Sequence, residues 1–152
     1  MSHLRAALAL ALTLTLIGSA SRADNDNVLQ IVGPLAPDTI RIVQEGSDLR
    51  LRVEVASPAS LSPAGSWRGA SAPVALSPGV VRQVGSDLRL DVSILGADTL
   101  FAAVQEGRGH RASATIIGAG NQAEIHQSGA GQIAAIRQTG TNNSVFIRQA
   151  SW

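Results

Sequence analysis

The sequence predicts an all-β solenoid in which strand–turn–strand coils, built from 11-residue units, stack on one another. Three observations carry that prediction. Gly85, Gly96, Gly107, Gly118, Gly129 and Gly140 follow one another at a spacing of 11 without a miss. With glycine at about a tenth of the chain, six in register by chance is on the order of one in a million. Each unit then has seven alternating residues and four of turn chemistry, which is the period of a strand rather than a helix. Finally, the apolar side chains keep one phase from unit to unit, so a common inward face exists.

The chain is 152 residues long, enough for one ordinary domain. Residues 1–23 read as a signal peptide to be set aside before fold reasoning. His3 and Arg5 precede an apolar run over 6–17, and 18–23 ends in small residues with Ser21 and Ala23 at the −3 and −1 positions. The apolar run is shorter than the roughly 20 residues a bilayer requires. Cleavage leaves a mature chain starting near Asp24. All 12 basic residues are Arg, and two of them, Arg5 and Arg22, leave with the leader. The remaining 10 Arg face 11 acidic residues, a net charge of −1. No basic block with interleaved aromatics points to nucleic acid. Cysteine is absent, which excludes a disulfide scaffold and a lipoprotein anchor. With two Phe, two Trp and no Tyr, burial must rest on Ile, Leu, Val and Ala.

Residues 24–79 form an irregular N-terminal β region. Within it, Gly46-Ser-Asp-Leu-Arg-Leu51 repeats as Gly85-Ser-Asp-Leu-Arg-Leu90, each with a Gln two residues upstream, Gln44 and Gln83. Residues 40–55 therefore read as another strand–turn–strand unit. The stretch 56–79 is a Pro/Ser-rich loop, and all six prolines precede residue 79. Proline removes a ladder donor, so strand stacking is interrupted there and unbroken after it.

Residues 80–149 are the repeat region. Its clearest units carry Asn121, Ala123, Ile125 and Gln127, then Gln132, Ala134, Ile136 and Gln138, then Asn143, Val145, Ile147 and Gln149. The same phase upstream selects Leu88, Leu90, Val92 and Ile94, then Thr99, Phe101, Ala103 and Gln105, then His110, Ala112, Ala114 and Ile116. These sets are expected to point inward, and residues between them, such as Arg89, Asp91, Arg111, Gln122 and Glu124, outward. One strand departs from the rule, because Leu100, Ala102 and Val104 are apolar as well. Two strands and their turns make a 22-residue coil, so alternate units should stack. Gln105, Gln127 and Gln149 then form one amide column, with Thr99, Asn121 and Asn143 at the other end of the same strands. Amides stacked about 4.8 Å apart satisfy one another from rung to rung.

This pattern resembles the curlin repeats of bacterial curli subunits, Ser-x5-Gln-x-Gly-x-x-Asn-x-Ala-x3-Gln. Gln138-Thr-Gly140-Thr-Asn-Asn143-Ser-Val145-x3-Gln149 fits with Val for Ala. Gln127-Ser-Gly129-Ala-Gly-Gln132-Ile-Ala134-x3-Gln138 fits with Gln for Asn. Gly118-Ala-Gly-Asn121-Gln-Ala123-x3-Gln127 fits except that Ile116 replaces the leading Gln. The match is clear over 116–149 and degrades upstream, where Leu88, Thr99 and His110 replace Asn, and Ile94 and Ile116 replace Gln. The resemblance implies an exported subunit, transiently periplasmic, that passes outer-membrane secretion machinery. It further implies self-assembly with other curlin subunits into extracellular amyloid supporting adhesion and biofilm. The departures favour a minor, nucleator-like or divergent subunit over the bulk fibre protein.

Other chemistry is weakly represented. Gly118-Ala-Gly120-Asn-Gln-Ala123 matches a dinucleotide fingerprint, but that motif needs a helix next and period-2 sequence follows. His110 and His126 lie on different predicted faces, and His110 reads as a substitute for Asn in its column. No metal-ligand spacing or nucleophile–base arrangement emerges. The sequence thus predicts no enzyme, no catalytic residue, no cofactor, no metal and no small-molecule substrate. Two rival readings remain: a periplasmic chaperone or inhibitor of curlin assembly, and a monomeric β-solenoid binding module.

Overall fold

The computed structural model describes residues 27–33, 40–56 and 77–152. Residues 1–23, and 57–76 within the Pro/Ser-rich stretch, lie outside them. All regular structure among the described residues is strand: β1 (Val28–Val32), β2 (Arg41–Ser47), β3 (Arg50–Val55), β4 (Val80–Ser86), β5 (Arg89–Leu95), β6 (Leu100–Arg108), β7 (Arg111–Ile117), β8 (Gln122–Ala130), β9 (Ile133–Thr139) and β10 (Ser144–Ala150). Odd-numbered strands make one sheet, in the order β1-β3-β5-β7-β9, and even-numbered strands make the other, β2-β4-β6-β8-β10. Every neighbouring pair is parallel. The chain therefore alternates between the two sheets, and each even–odd pair is one coil. Four coils result, β2–β3 to β8–β9, with β1 beyond one end and β10 beyond the other. This is the β-solenoid that the 11-residue period predicts.

Register follows the repeat. Gln44, Gln83, Gln105, Gln127 and Gln149 are Cα partners in succession through the even sheet. In the odd sheet Leu51, Leu90, Ala112 and Ala134 align in the same way. Residues 40–55, read from sequence as a strand pair, enter this stack as β2 and β3.

The two inward faces meet in one apolar cluster. Ile42, Val81, Phe101, Ala103, Ala123 and Ile125 from the even sheet pack with Leu51, Val53, Leu90, Val92, Ala112, Ala114, Ile116, Ala134 and Ile136 from the odd one. Full burial of each large aliphatic side chain contributes about 1.5–3 kcal/mol. Leu29, Ile31, Val145 and Ile147 pack against this core only half-buried, because β1 and β10 are terminal.

Turn geometry explains the glycine period. Gly107 has φ of 124° and Gly129 has φ of 103°. A Cβ on Gly107 would overlap the backbone carbonyl of Gly129, one coil on. The residue two positions after each turn glycine is also left-handed: Asp48, Asp87, Asp98, Gly109, Gly120, Gly131 and Asn142 have φ between 53° and 68°. Gly, Asp and Asn are the residues that enter this region at least cost.

One expectation needs correcting. Gln122 and Glu124 do sit on the outward side of β8, yet both are buried, as are Leu100, Ala102 and Val104 on the outward side of β6. The doubly apolar sequence of β6 is that of a strand withdrawn from water on both faces.

Candidate functional site

The inward polar residues form two kinds of column. The first is a ladder of glutamines, each two residues before its turn. Gln44 Nε2 donates to Gln83 Oε1 at 2.8 Å, Gln83 to Gln105 at 2.8 Å, Gln105 to Gln127 at 2.9 Å and Gln127 to Gln149 at 2.8 Å. The second N–H of each reaches across the core to the odd sheet: Gln83 to Arg50 O, Gln105 to Arg89 O, Gln127 to Arg111 O and Gln149 to Ile133 O. Gln83, Gln105 and Gln127 are fully buried. An unpaired amide there would cost about 1–3 kcal/mol, so pairing along the stack removes a penalty and fixes register.

The ladder has a direction, because every amide donates toward the C-terminal end. Its first acceptor, Gln44 Oε1, is buried without a partner. At the other end Gln149 Nε2 donates only to Ile133 O at 3.1 Å, leaving one N–H unused.

The second column stands at the strand starts. Asn121 Oδ1 accepts the N–H of Asn143 at 3.0 Å, and Asn121 Nδ2 donates to Gly140 O at 3.0 Å. His110 plays the same part: Nδ1 accepts the N–H of Gln132 at 3.2 Å, while Nε2 lies 3.0 Å from Glu106 O. These contacts fit the ring tautomer that donates from Nε2 and accepts at Nδ1. Asn27, ahead of β1, repeats the motif by accepting the N–H of Leu49 at 3.0 Å. Gln132 donates to Ser128 O at 2.9 Å, but its Oε1 is buried and unpaired. Thr99 is fully buried in the corresponding position of β6, with its hydroxyl unpaired.

Gln138 stands apart. Its Nε2 donates to Gln122 O at 3.0 Å, its Oε1 has no partner, and its neighbour in the stack is Ile116. No second amide ladder forms in the odd sheet, where Val55, Ile94 and Ile116 occupy the column. Asn143 is exposed, and Val145, Ile147 and Gln149 are half-buried.

Electrostatics on the outer surface are modest. Arg52–Glu54, Arg82–Glu106 and Arg89–Asp91 are exposed ion pairs at 3.3, 2.9 and 2.7 Å. Such pairs contribute about 1 kcal/mol or less each. Burial pushes the Glu124 carboxyl above its ordinary value of 4.5. Among the described residues no group of three or more His, Cys, Asp or Glu side chains is placed to hold a metal ion.

Two features were less visible in the sequence than the glutamines. The left-handed turn residues from Asp87 to Asn142 also recur every 11 residues, but three residue types share that conformation. Asn27 and β1 form a half-repeat followed by Gly33, on the odd sheet, where no glutamine ladder runs.

Among the described residues, the two stacked sheets thus end on the even side in β10, an amide-bearing strand paired with β8. No curated protein and no solved structure matches the chain significantly. Residues 118–150, which hold β8, β9 and β10, match the family model described as Curlin associated repeat. Through that segment, 33 of its 152 residues, the chain carries a Curlin associated repeat.

Proposed function

We propose that this chain is an exported structural subunit that adds strands at its open ends to build extracellular fibres. The observation carrying the proposal is β10, a complete repeat unit with Val145, Ile147 and Gln149 half-buried and, among the described strands, only β8 beside it. An edge that keeps its hydrogen-bonding groups and its core-phase side chains recruits further strands. In this reading residues 1–23 direct export, the mature chain is transiently periplasmic, and passage through outer-membrane machinery precedes assembly with itself and other curlin subunits. The fibres serve adhesion and biofilm.

The apolar column Val55, Ile94 and Ile116 favours a minor or nucleating subunit over the bulk one. It lets the chain hold its own coils by aliphatic packing while presenting the regular repeat at one end. Deleting residues 143–152 is expected to lengthen the lag of thioflavin-detected fibre formation several-fold. Unchanged kinetics in the truncated chain would contradict the assignment of the edge.

A further inference from the structure

The outer face of the odd sheet is strongly basic. Its outward positions include Arg50, Arg52, Arg89, Arg111 and Arg137. The acids among them are Glu54 and Asp91, so the face has a net charge of +3. On the even sheet, the outward positions ahead of the turn glycines balance: Arg41, Arg82 and Arg148 stand against Glu45, Glu106 and Glu124.

Three of the odd-sheet arginines form a column. Arg50, Arg89 and Arg111 are successive Cα partners in β3, β5 and β7, one rung or about 4.8 Å apart. They are the only like-charged partners among the described strands. Elsewhere a charged residue stands opposite a neutral one or, as Arg52 does with Asp91, opposite its counter-charge. Like charges directly opposite one another destabilise a sheet, so packing alone does not account for the column.

The column is also short of counter-charge. Arg89 pairs with Asp91 through Nε at 2.7 Å, and Arg52 pairs with Glu54 at 3.3 Å. Both acids of the face are thereby engaged, while Arg50, Arg111 and Arg137 have no ion pair among the described residues. Asp48 and Asp87 stand in the adjoining turns without pairing with the column. With Leu88 and these two acids, Arg50, Arg89 and Arg111 line an open depression of about 250 Å³.

We infer that this column binds an acidic polysaccharide, whose carboxylates lie along the stacking axis across Arg50, Arg89 and Arg111. A guanidinium offers a carboxylate two parallel N–H donors. A straight row of them matches a polymer with one charge per sugar ring. Nucleic acid fits less well. Single strands are held on aromatic platforms, and no outward residue of the odd sheet is aromatic. A duplex presents one charge per about 1.7 Å, far denser than one arginine per rung. The site lies within one copy, so it goes beyond the proposed assembly and does not depend on it.

Surface plasmon resonance on the tethered, freshly purified chain tests the site, with polygalacturonate as the probe. Binding is expected at about 50 mM salt and weakens several-fold by about 200 mM as the charges are screened. Uncharged dextran should not bind. Arg50→Gln and Arg111→Gln are each expected to weaken binding about ten-fold. Their thermal midpoints should be no lower than the parent's, because each removes a like-charge contact. Arg82→Gln makes the same change in net charge on the other sheet and should leave affinity unchanged. Absence of binding at about 50 mM salt would overturn the inference. So would an equal loss in Arg82→Gln, which marks a general charge effect, or lowered midpoints in both column variants, which mark a structural column. Oligonucleotide binding through Arg111 as strong as that of polygalacturonate would overturn the ligand class. A chain that binds polygalacturonate yet never forms fibres would remove the proposed function and leave this inference standing.

Discussion

At the scale of single residues, the chain solves one problem repeatedly, namely how to bury an amide. Gln105 shows the solution most fully: it accepts from Gln83, donates to Gln127 and donates across the core to Arg89 O. Gln105→Ala strands Gln127 Oε1 and one Gln83 N–H in the core and leaves a void. It is expected to destabilise the fold by about 3 kcal/mol. Gln149→Ala, at the open end, removes one ladder bond from a half-exposed site and is expected to cost about 1 kcal/mol or less. Denaturant midpoints of freshly prepared monomer measure both, and equal costs would argue against a directional ladder. The glutamines were legible because one residue type recurs two places before the turn. The turn residues Asp87, Asp98, Gly109 and Asn142 were harder to read, since what repeats is a left-handed backbone rather than an identity. Asn27 was harder still, because Gly33 follows its strand where the repeat would have Gln and breaks the pattern on which the other units were recognised.

At the scale of elements, the strand alternation in the sequence translates directly into the two inward faces. It was less informative about the outer ones. Alternation alone places Glu124 outward and cannot say that the outward side of β6 and β8 is buried; only Leu100, Ala102 and Val104 hinted at it. Burial raises the Glu124 carboxyl above 4.5, so the folded state binds its proton more tightly than the unfolded chain. Stability associated with this group is therefore lost as pH rises through the folded value. Below 4.5 both states are protonated and the penalty disappears. Glu124→Gln is accordingly expected to be more stable than the parent at pH 7, with the gap closing as pH falls toward 4.5. Thermal unfolding of both chains across that range checks this, and a gap that widened toward acid would have the wrong sign. The aliphatic column Val55, Ile94 and Ile116 belongs to the same scale. It gives the odd sheet adhesion without amide register, whereas the even sheet carries the ladder end to end.

At the scale of the whole molecule, the solenoid keeps one geometry while its sequence changes. Residues 118–150 match the Curlin associated repeat, yet β2 to β7 continue the same coils with Leu88, Thr99 and His110 in place of Asn. Backbone pairing, left-handed turns and an inward apolar face are enough to propagate the fold, so the recognisable repeat covers less of the chain than the architecture does. Stacked coils of this kind bury their faces only against neighbours, which makes the terminal coils the reactive part. The claim that joins all three scales is that this reactivity is assembly, with new strands added along the stacking axis of the solenoid. X-ray diffraction from aligned fibres of the purified mature chain tests it most directly. Stacking predicts a meridional reflection near 4.8 Å, from strands perpendicular to the fibre axis, with an equatorial one near 10 Å from the sheet separation. A chain that stays monomeric under assembly conditions, or fibres without the meridional reflection, would contradict it.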